Sequence, residues 1–546
     1  MRLAAHWLLG AAVIAAPLAA QTKAREAVDA APPSDLSVTI YRDPDRAADA
    51  PLRRDNPQGL AMISETRRVT LPKGESTIRF EGVAEGMIGI SAIVTGLPGG
   101  TIEKNRNAEL LSPAALVNGT LGNRVTVTRT NPATGEAKAE SAVVRTRADG
   151  GLLLQTSQGF EAVRCAGVPE KLTFERVPAG LSARPVFSVD TRSPEGGTYE
   201  VTLTYLAWGF DWQANYVATL LDKPSGQAAG GEFPLRLMSW LTLVNDNGQG
   251  FEKAKLQIVA GKLNVESDYE GLADPPDAKP LRLTCYPFGS TAEGSEIPEL
   301  WAPPLPPPGA PLPVMAPPPA PMMARAEMIT VTGARLDAMK AAEEDLGDLK
   351  LFRVPERVDV AAKGMKQVAF LDKQAVKARY LYQAACDPYA WIGDEGAGPA
   401  PASLLLVTKN EEAKGLGVAL PQGAMTLYEP SARGDSLAGR TALRDYARGQ
   451  DMELELGASR QVFARCASVR GGNMFGVPRT ETAMRATLTN ANPHAVTLRL
   501  QLAGPGFAVR FAKGKVAVKN GMQVVEVTLP ANQTKSFDWT LGPDRF

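Results

Sequence analysis

Apolar side chains in this chain recur at every second position, and that period limits what it can fold into. A strand sends successive side chains to opposite faces, so an alternating run buries one face of a sheet and wets the other. In TYEVTLTYLAWG the apolar side chains fall at Tyr199, Val201, Leu203 and Tyr205. Past Gly209 they move to Trp212, Ala214, Tyr216, Ala218 and Leu220. Such a change of phase marks a turn or bulge, here at WGFD. The last segment alternates too, through Met484, Ala486 and Leu488, then Val496 to Leu502, Val525 to Leu529, and Phe537, Trp539 and Leu541. The chain also carries 51 Gly and 43 Pro in 546 residues, which favours many turns over long helices.

The pattern divides the chain. Residues 35–110 read as an N-terminal β-domain. LSVTIY sets Leu36, Val38 and Ile40 on one face, and RRVTLPKGESTIRF reads as a hairpin, Val69 and Leu71 before its turn and Ile78 and Phe80 after it. Residues 111–196 hold shorter strands around Val125, Val127, Val143, Leu152 to Leu154 and Phe160, as in a small barrel. Residues 197–466 read as a further β-domain. In it, LRLMSWLTLVNDNGQGFEKAKLQIVAG reads as two strands joined at Asn247-Gly248, the second burying Leu256, Ile258 and Ala260. Residues 467–546 suit an immunoglobulin-like sandwich.

Eleven of the twenty residues in 302–321 are proline. That composition predicts a polyproline II rod of roughly 60 Å inside a disordered insertion at 267–347. Behind it, ARLDAMKAAEEDLGDL reads as a short helix through Leu336, Met339 and Leu346. The predicted class is all-β and multi-domain. It combines β-sandwich and small-barrel domains with a C-terminal immunoglobulin-like sandwich and the proline-rich insertion.

Residues 1–20 read as a cleavable signal peptide. Arg2 is followed by a short apolar run from Trp7 to Ala16, a break at Pro17, and Ala19 and Ala20 before Gln21. A bilayer span needs ~20 apolar residues, which favours a signal over an anchor, and no later run is long and apolar enough to span. The expected location is periplasmic or extracellular. Export places Cys165, Cys285, Cys386 and Cys466 in an oxidising space. Four cysteines allow three pairings. We expect Cys165–Cys285 and Cys386–Cys466, one in each half of the chain, with four reduced, buried thiols as the alternative.

Charge and motifs exclude several chemistries. Lys plus Arg equals Asp plus Glu at 59 each, and losing residues 1–20 removes only Arg2, so the mature chain stands at 58 − 59 = −1. Without a basic stripe, nucleic acid is not an expected partner. Only His494 remains after the signal, in the turn NANPHAV, where it reads as exposed. No G-x-S-x-G elbow, HExxH, strand-borne GxGxxG or GxxxxGK[ST] occurs. NDNGQGFE lacks the ligand spacing of a calcium loop and reads as a turn. No catalytic, cofactor or metal residues are assigned, and no cofactor is expected.

From residue 197 three stretches carry a resemblance. LTYLAWGFDWQANYVATL, WLTLVNDNGQGFEKAKLQIVAGKL and ALPQGAMTLYEPSARGDSLAGRTALRDYARGQDMELELG are similar to segments of the exported bacterial family called domain of unknown function 4139. That domain also forms the C-terminal part of mucoidy-inhibitor-type proteins, whose preceding coiled coil has no counterpart here. The resemblance implies that the 267–347 loop interrupts one domain. It also implies that Trp212 and Tyr216 hold fixed places in a strand register, packed between sheets. It brings no catalytic residues. At Asp211, beside the phase change, a short acid is placed to accept turn hydrogen bonds.

EMITVTGARL resembles the stretch that begins many energy-coupled outer-membrane receptors. There a short extended segment pairs with a periplasmic protein by strand addition. Ile329, Thr330, Val331, Thr332 and Gly333 are therefore an interaction-segment candidate, with a casual strand as the alternative. The expected function is that of an exported, non-enzymatic β-protein of the cell envelope, binding unidentified envelope proteins by protein–protein or surface contacts. The alternative is a carbohydrate-binding or glycoside-active protein with polysaccharide as partner. That alternative needs Trp208, Trp212, Trp240 or Trp391 exposed beside a groove.

Overall fold

The structure, a computed structural model, describes residues 25–543 except 107–109, 132, 147–151, 163–170, 179–180, 223–229, 262–340, 388–397, 470–480 and 512–513. It is an all-β, multi-domain chain, and its one α-helix among the described residues is Pro113–Gly119. The signal peptide, the proline rod and the 329–333 segment lie outside the described residues.

One long strand organises the largest unit. Gly197–Leu220 runs 24 residues without a break. Its first half pairs antiparallel with Gly59–Leu71, and its second half pairs with Phe233–Asn245 and, in parallel, with Gly423–Ser431. The phase change is a bulge between Trp208 and Phe210, where Gly209 takes φ +86°. A Cβ there would sit 2.9 Å from Asn247 Nδ2, so the bulge needs glycine. Leu203 and Tyr205 before the bulge and Trp212 and Tyr216 after it thereby point into the same core.

That core crosses the border expected at residue 196/197. Asp35–Tyr41 lies between Gly59–Leu71 and Phe251–Ala260, antiparallel to the first and parallel to the second. Leu36, Val38 and Ile40 therefore pack in one cluster with Leu203, Trp212, Leu256 and Leu454. Residues 35–71 and 197–260 form one body because neither set of strands covers its own apolar face.

Two expected hairpins are absent for the same reason. Gly59–Leu71 and Gly74–Glu81 join different sheets; the second lies between Glu26–Asp29 and Val186–Ser193. Val69 and Leu71 meet Ile78 and Phe80 in one core across two layers, not along one ladder. Likewise, Phe233–Asn245 pairs with Gly364–Ala385, while Phe251–Ala260 pairs with Asp35–Tyr41 and Leu349–Arg353.

The smaller unit contains Arg124–Thr130, Ala137–Val144, Leu153–Thr156, Gly159–Ala162 and Lys171–Thr173. Among the described residues it is an open five-stranded sheet and not a closed barrel, for its outer strands Gly159–Ala162 and Lys171–Thr173 each have one neighbour. Val125, Val127 and Leu154 form its core with Val117 of the helix. The helix starts at Ser112, whose hydroxyl accepts from Ala115 N, with Pro113 in the first turn. The short helix expected within 334–346 also differs: Ala342–Leu346 is a strand paired with Leu349–Arg353.

The C-terminal body is a two-layer sandwich that begins well before residue 467. One layer holds Asp451–Ser468, Thr482–Asn490, Gln533–Pro543 and Phe507–Phe511. The other holds the end of Gly364–Ala385, Val496–Ala503, Met522–Leu529 and Ala517–Lys519. Ala400–Lys409 pairs with both Gly364–Ala385 and Asp451–Ser468, so the two layers are one continuous sheet around a shared core. Cys386 and Cys466 form the expected disulfide, joining the end of one layer to the other. Cys165 and Cys285 lie outside the described residues.

Three buried asparagines close loops where strands end. Asn245 Nδ2 donates to the carbonyls of Gln249 and Ala361, and its Oδ1 accepts from Asn247 N. Asn490 Nδ2 donates to the carbonyls of His494 and Pro530. Asn410 Nδ2 donates to the carbonyls of Val418 and Ala447, while its Oδ1 accepts from Gly417 N. Asn410 is fully buried, so alanine there would strand these loop groups away from water. Asn410→Ala is expected to lower the unfolding free energy by about 1–3 kcal/mol in urea denaturation. A loss under about 0.5 kcal/mol, the ordinary scale for a surface site, would mean that the loop does not depend on this side chain.

Candidate functional site

Two buried charged clusters lie against these strands. The first surrounds Asp211, which is 2% exposed. Its Oδ2 lies 2.5 Å from Arg46 Nη1, and its Oδ1 accepts from Asp43 N and Trp212 N. Arg46 also donates to the Trp212 carbonyl. Arg42 lies 6.0 Å from the Trp212 ring centroid and makes two hydrogen bonds to Asp445. Burial pushes the Asp211 carboxyl up to about 6, against the pull of Arg46. Burial also lowers the Arg46 pKa. Both oxygens of Asp211 are engaged, and the cluster pins residues 42–46 to the long strand.

The sequence expectation for 204–220 is met in its core part: Tyr205, Phe210, Trp212 and Tyr216 are at most 1% exposed. Trp212 Nε1 donates to Val259 O, and the Tyr216 hydroxyl donates to Pro421 O. Asp211 does accept backbone N–H bonds, as its place at the phase change suggested.

The second cluster went unnoticed in the sequence. In GLAMISETRRVTL the inward positions are Ala61, Ile63, Glu65, Arg67, Val69 and Leu71. Opposite charges two residues apart on an otherwise apolar phase were the available signal. Glu65 Oε2 accepts from Arg67 Nε at 2.8 Å and Nη2 at 2.5 Å. Its Oε1 accepts from the Tyr205 hydroxyl at 2.9 Å. Arg67 Nη1 donates to the Glu81 carbonyl. Desolvation and the nearby Glu65 carboxylate raise the Tyr205 hydroxyl well above its usual range.

This second pair sits in the wall of a cleft of about 1050 Å³. The cleft is lined by Pro32, Pro33, Ser34 and Leu36, by the loop from Gly248 to Gly250 and the start of the strand after it through Lys253, and by Arg184 and Arg357. Arg357 is committed to Asp35 and to the Lys253 carbonyl. Both oxygens of Glu65 are engaged, Oε2 by Arg67 and Oε1 by Tyr205, which fixes the carboxylate in place. The cleft can bind through fixed polar groups.

No protein-family model matches this chain, and no curated protein matches it significantly.

Among the described residues no three His, Cys, Asp or Glu are grouped to hold a metal ion. No helix there is long and apolar enough to cross a membrane. His494 is half-buried where the sequence suggested exposure, because Asn490 draws its carbonyl inward. Of the tryptophans named for a sugar platform, Trp212 is sealed, Trp208 and Trp240 are half-buried, and Trp391 lies outside the described residues.

Proposed function

We propose that the chain is an exported β-protein of the cell envelope that works by binding, with the cleft beside Glu65 and Arg67 as its principal contact surface. The observation that carries this reading is the fixed Glu65–Arg67–Tyr205 cluster in the wall of a large polar cleft. A carboxylate held by an arginine fork and a tyrosine is a rigid recognition element and a poor proton acceptor. Export draws support from the Cys386–Cys466 disulfide, a bond that persists in oxidising compartments. Kinship with the domain of unknown function 4139 family draws support from geometry. The three similar stretches share one core, and two pairings join them: Ala214 to Thr219 with Gly423 to Tyr428, and Phe210 to Leu220 with Leu235 to Asn245.

Lysine-reactive cross-linking in native envelopes tests the proposal. Lys253 lines the cleft, so a partner peptide joined at Lys253 is the expected result. Hydrolysis of a glycan or peptide panel by the purified mature chain would sink the non-enzymatic reading. Cross-links absent from Lys253 but present elsewhere would move the contact surface.

A further inference from the structure

We infer that the cleft takes an extended peptide whose carboxylate is bound by Arg67. This deepens the binding function proposed above and rests on it. A guanidinium carries five N–H groups. At Arg67, Nε–H and one Nη2–H go to Glu65, and one Nη1–H goes to the Glu81 carbonyl. One N–H remains on each Nη, on a side chain that is 4% exposed and lines the cleft. Glu65 fixes the fork, so an arriving carboxylate would meet donors that need no further ordering.

A second observation points to the same class of ligand. Gln249 lines the cleft, and its buried Oε1 has no hydrogen-bond partner. Such an acceptor calls for a hydrogen-bond donor, which a peptide N–H supplies. A peptide offers carboxylate and N–H groups within a few bonds of each other. At the rim, Arg184 and Lys253 are exposed and make no ion pair among the described residues, and Glu81 and Glu252 stand with them. This mixed rim suits a peptide of mixed charge. Phe251, the one aromatic residue of the lining, is buried, so a sugar face has no ring to stack on.

The test uses the full mature chain and two mixed-sequence hexapeptide pools, one with a fixed central Asp and one with a fixed central Asn. Retained peptides are read by mass spectrometry. At least tenfold preference for the Asp pool is expected. Arg67→Lys keeps a cation beside Glu65 but removes the fork, and should abolish the preference in a chain whose circular dichroism is unchanged. Gln249→Ala leaves the Glu65 pair intact and should lower retention severalfold, which guards against a folding failure in the lysine variant. Equal retention of the two pools, or undiminished retention by Gln249→Ala, overturns the inference. So does stronger retention of oligogalacturonate than of the Asp pool. An envelope partner that cross-links equally to wild type and Arg67→Lys would leave the binding function standing and remove Arg67 from it.

Discussion

Trp212→Ala is expected to lower the unfolding free energy by about 3–5 kcal/mol, the range for truncating a fully buried large ring. The indole is 0% exposed, and its Nε1 donates to the Val259 carbonyl at 3.1 Å. Alanine would leave a cavity at the junction of several strands and remove the indole's hydrogen bond to the Val259 carbonyl. A typical domain has only about 5–15 kcal/mol in total, so the variant should unfold at much lower urea. Trp212→Phe separates the two contributions. It fills most of the volume but restores no N–H, and should retain a deficit of about 0.5–1.5 kcal/mol for the lost hydrogen bond. Urea titration followed by far-ultraviolet circular dichroism reads both. An alanine variant within about 1 kcal/mol of wild type would contradict the packing described here, since burial of this kind cannot be lost so cheaply.

Arg46→Ala should cost about 3–5 kcal/mol at pH 8, where it leaves the Asp211 charge buried without its counter-charge. The cost should shrink on acidification. Burial raises Asp211 from 3.8 to about 6, so its folded form holds a proton more tightly than its unfolded form. A group of that kind contributes stability that is fully present below about pH 3.8 and is lost as pH rises through about 6. Lowering the pH from 8 to 5 therefore neutralises Asp211 within the fold, and the stranded charge disappears. Melting curves of wild type and Arg46→Ala across that window should converge toward pH 5. The same comparison between Arg46→Ala and the Arg46→Ala/Asp211→Asn double variant should show the double variant ahead at pH 8 and level near pH 5. A constant separation over the whole window would show that Asp211 is not the source of the cost.

The face each strand buries was legible in the sequence, and the neighbour each strand takes was not. Period two sends Val201, Leu203 and Tyr205 inward, and Gly209 announces the bulge that keeps Trp212 and Tyr216 facing the same way. Pairing depends on which apolar faces remain uncovered elsewhere. Pro72-Lys73 and Asn247-Gly248 looked like hairpin turns, yet each joins strands that leave for different neighbours. A turn signal reports a change of direction and carries no information about the ladder beyond it. The cleft was missed for another reason. Glu65 and Arg67 were readable as charges on an apolar phase, but Tyr205, the third member of the cluster and the partner of Glu65, comes 140 residues later. The disulfide between Cys386 and Cys466 was within reach because it joins two nearby strands of one sandwich.

The placement of Asp35–Tyr41 beside Phe251–Ala260 has a consequence for how the molecule is born. Ser37 waits for Lys255, and Tyr41 for Val259, with over two hundred residues to be threaded across before either ladder can close. Pairing over such a separation is slow, because the entropy of closing the loop must be met first. Until Phe251–Ala260 has been made, Asp35–Tyr41 lacks one of its two neighbours, and the largest core cannot close.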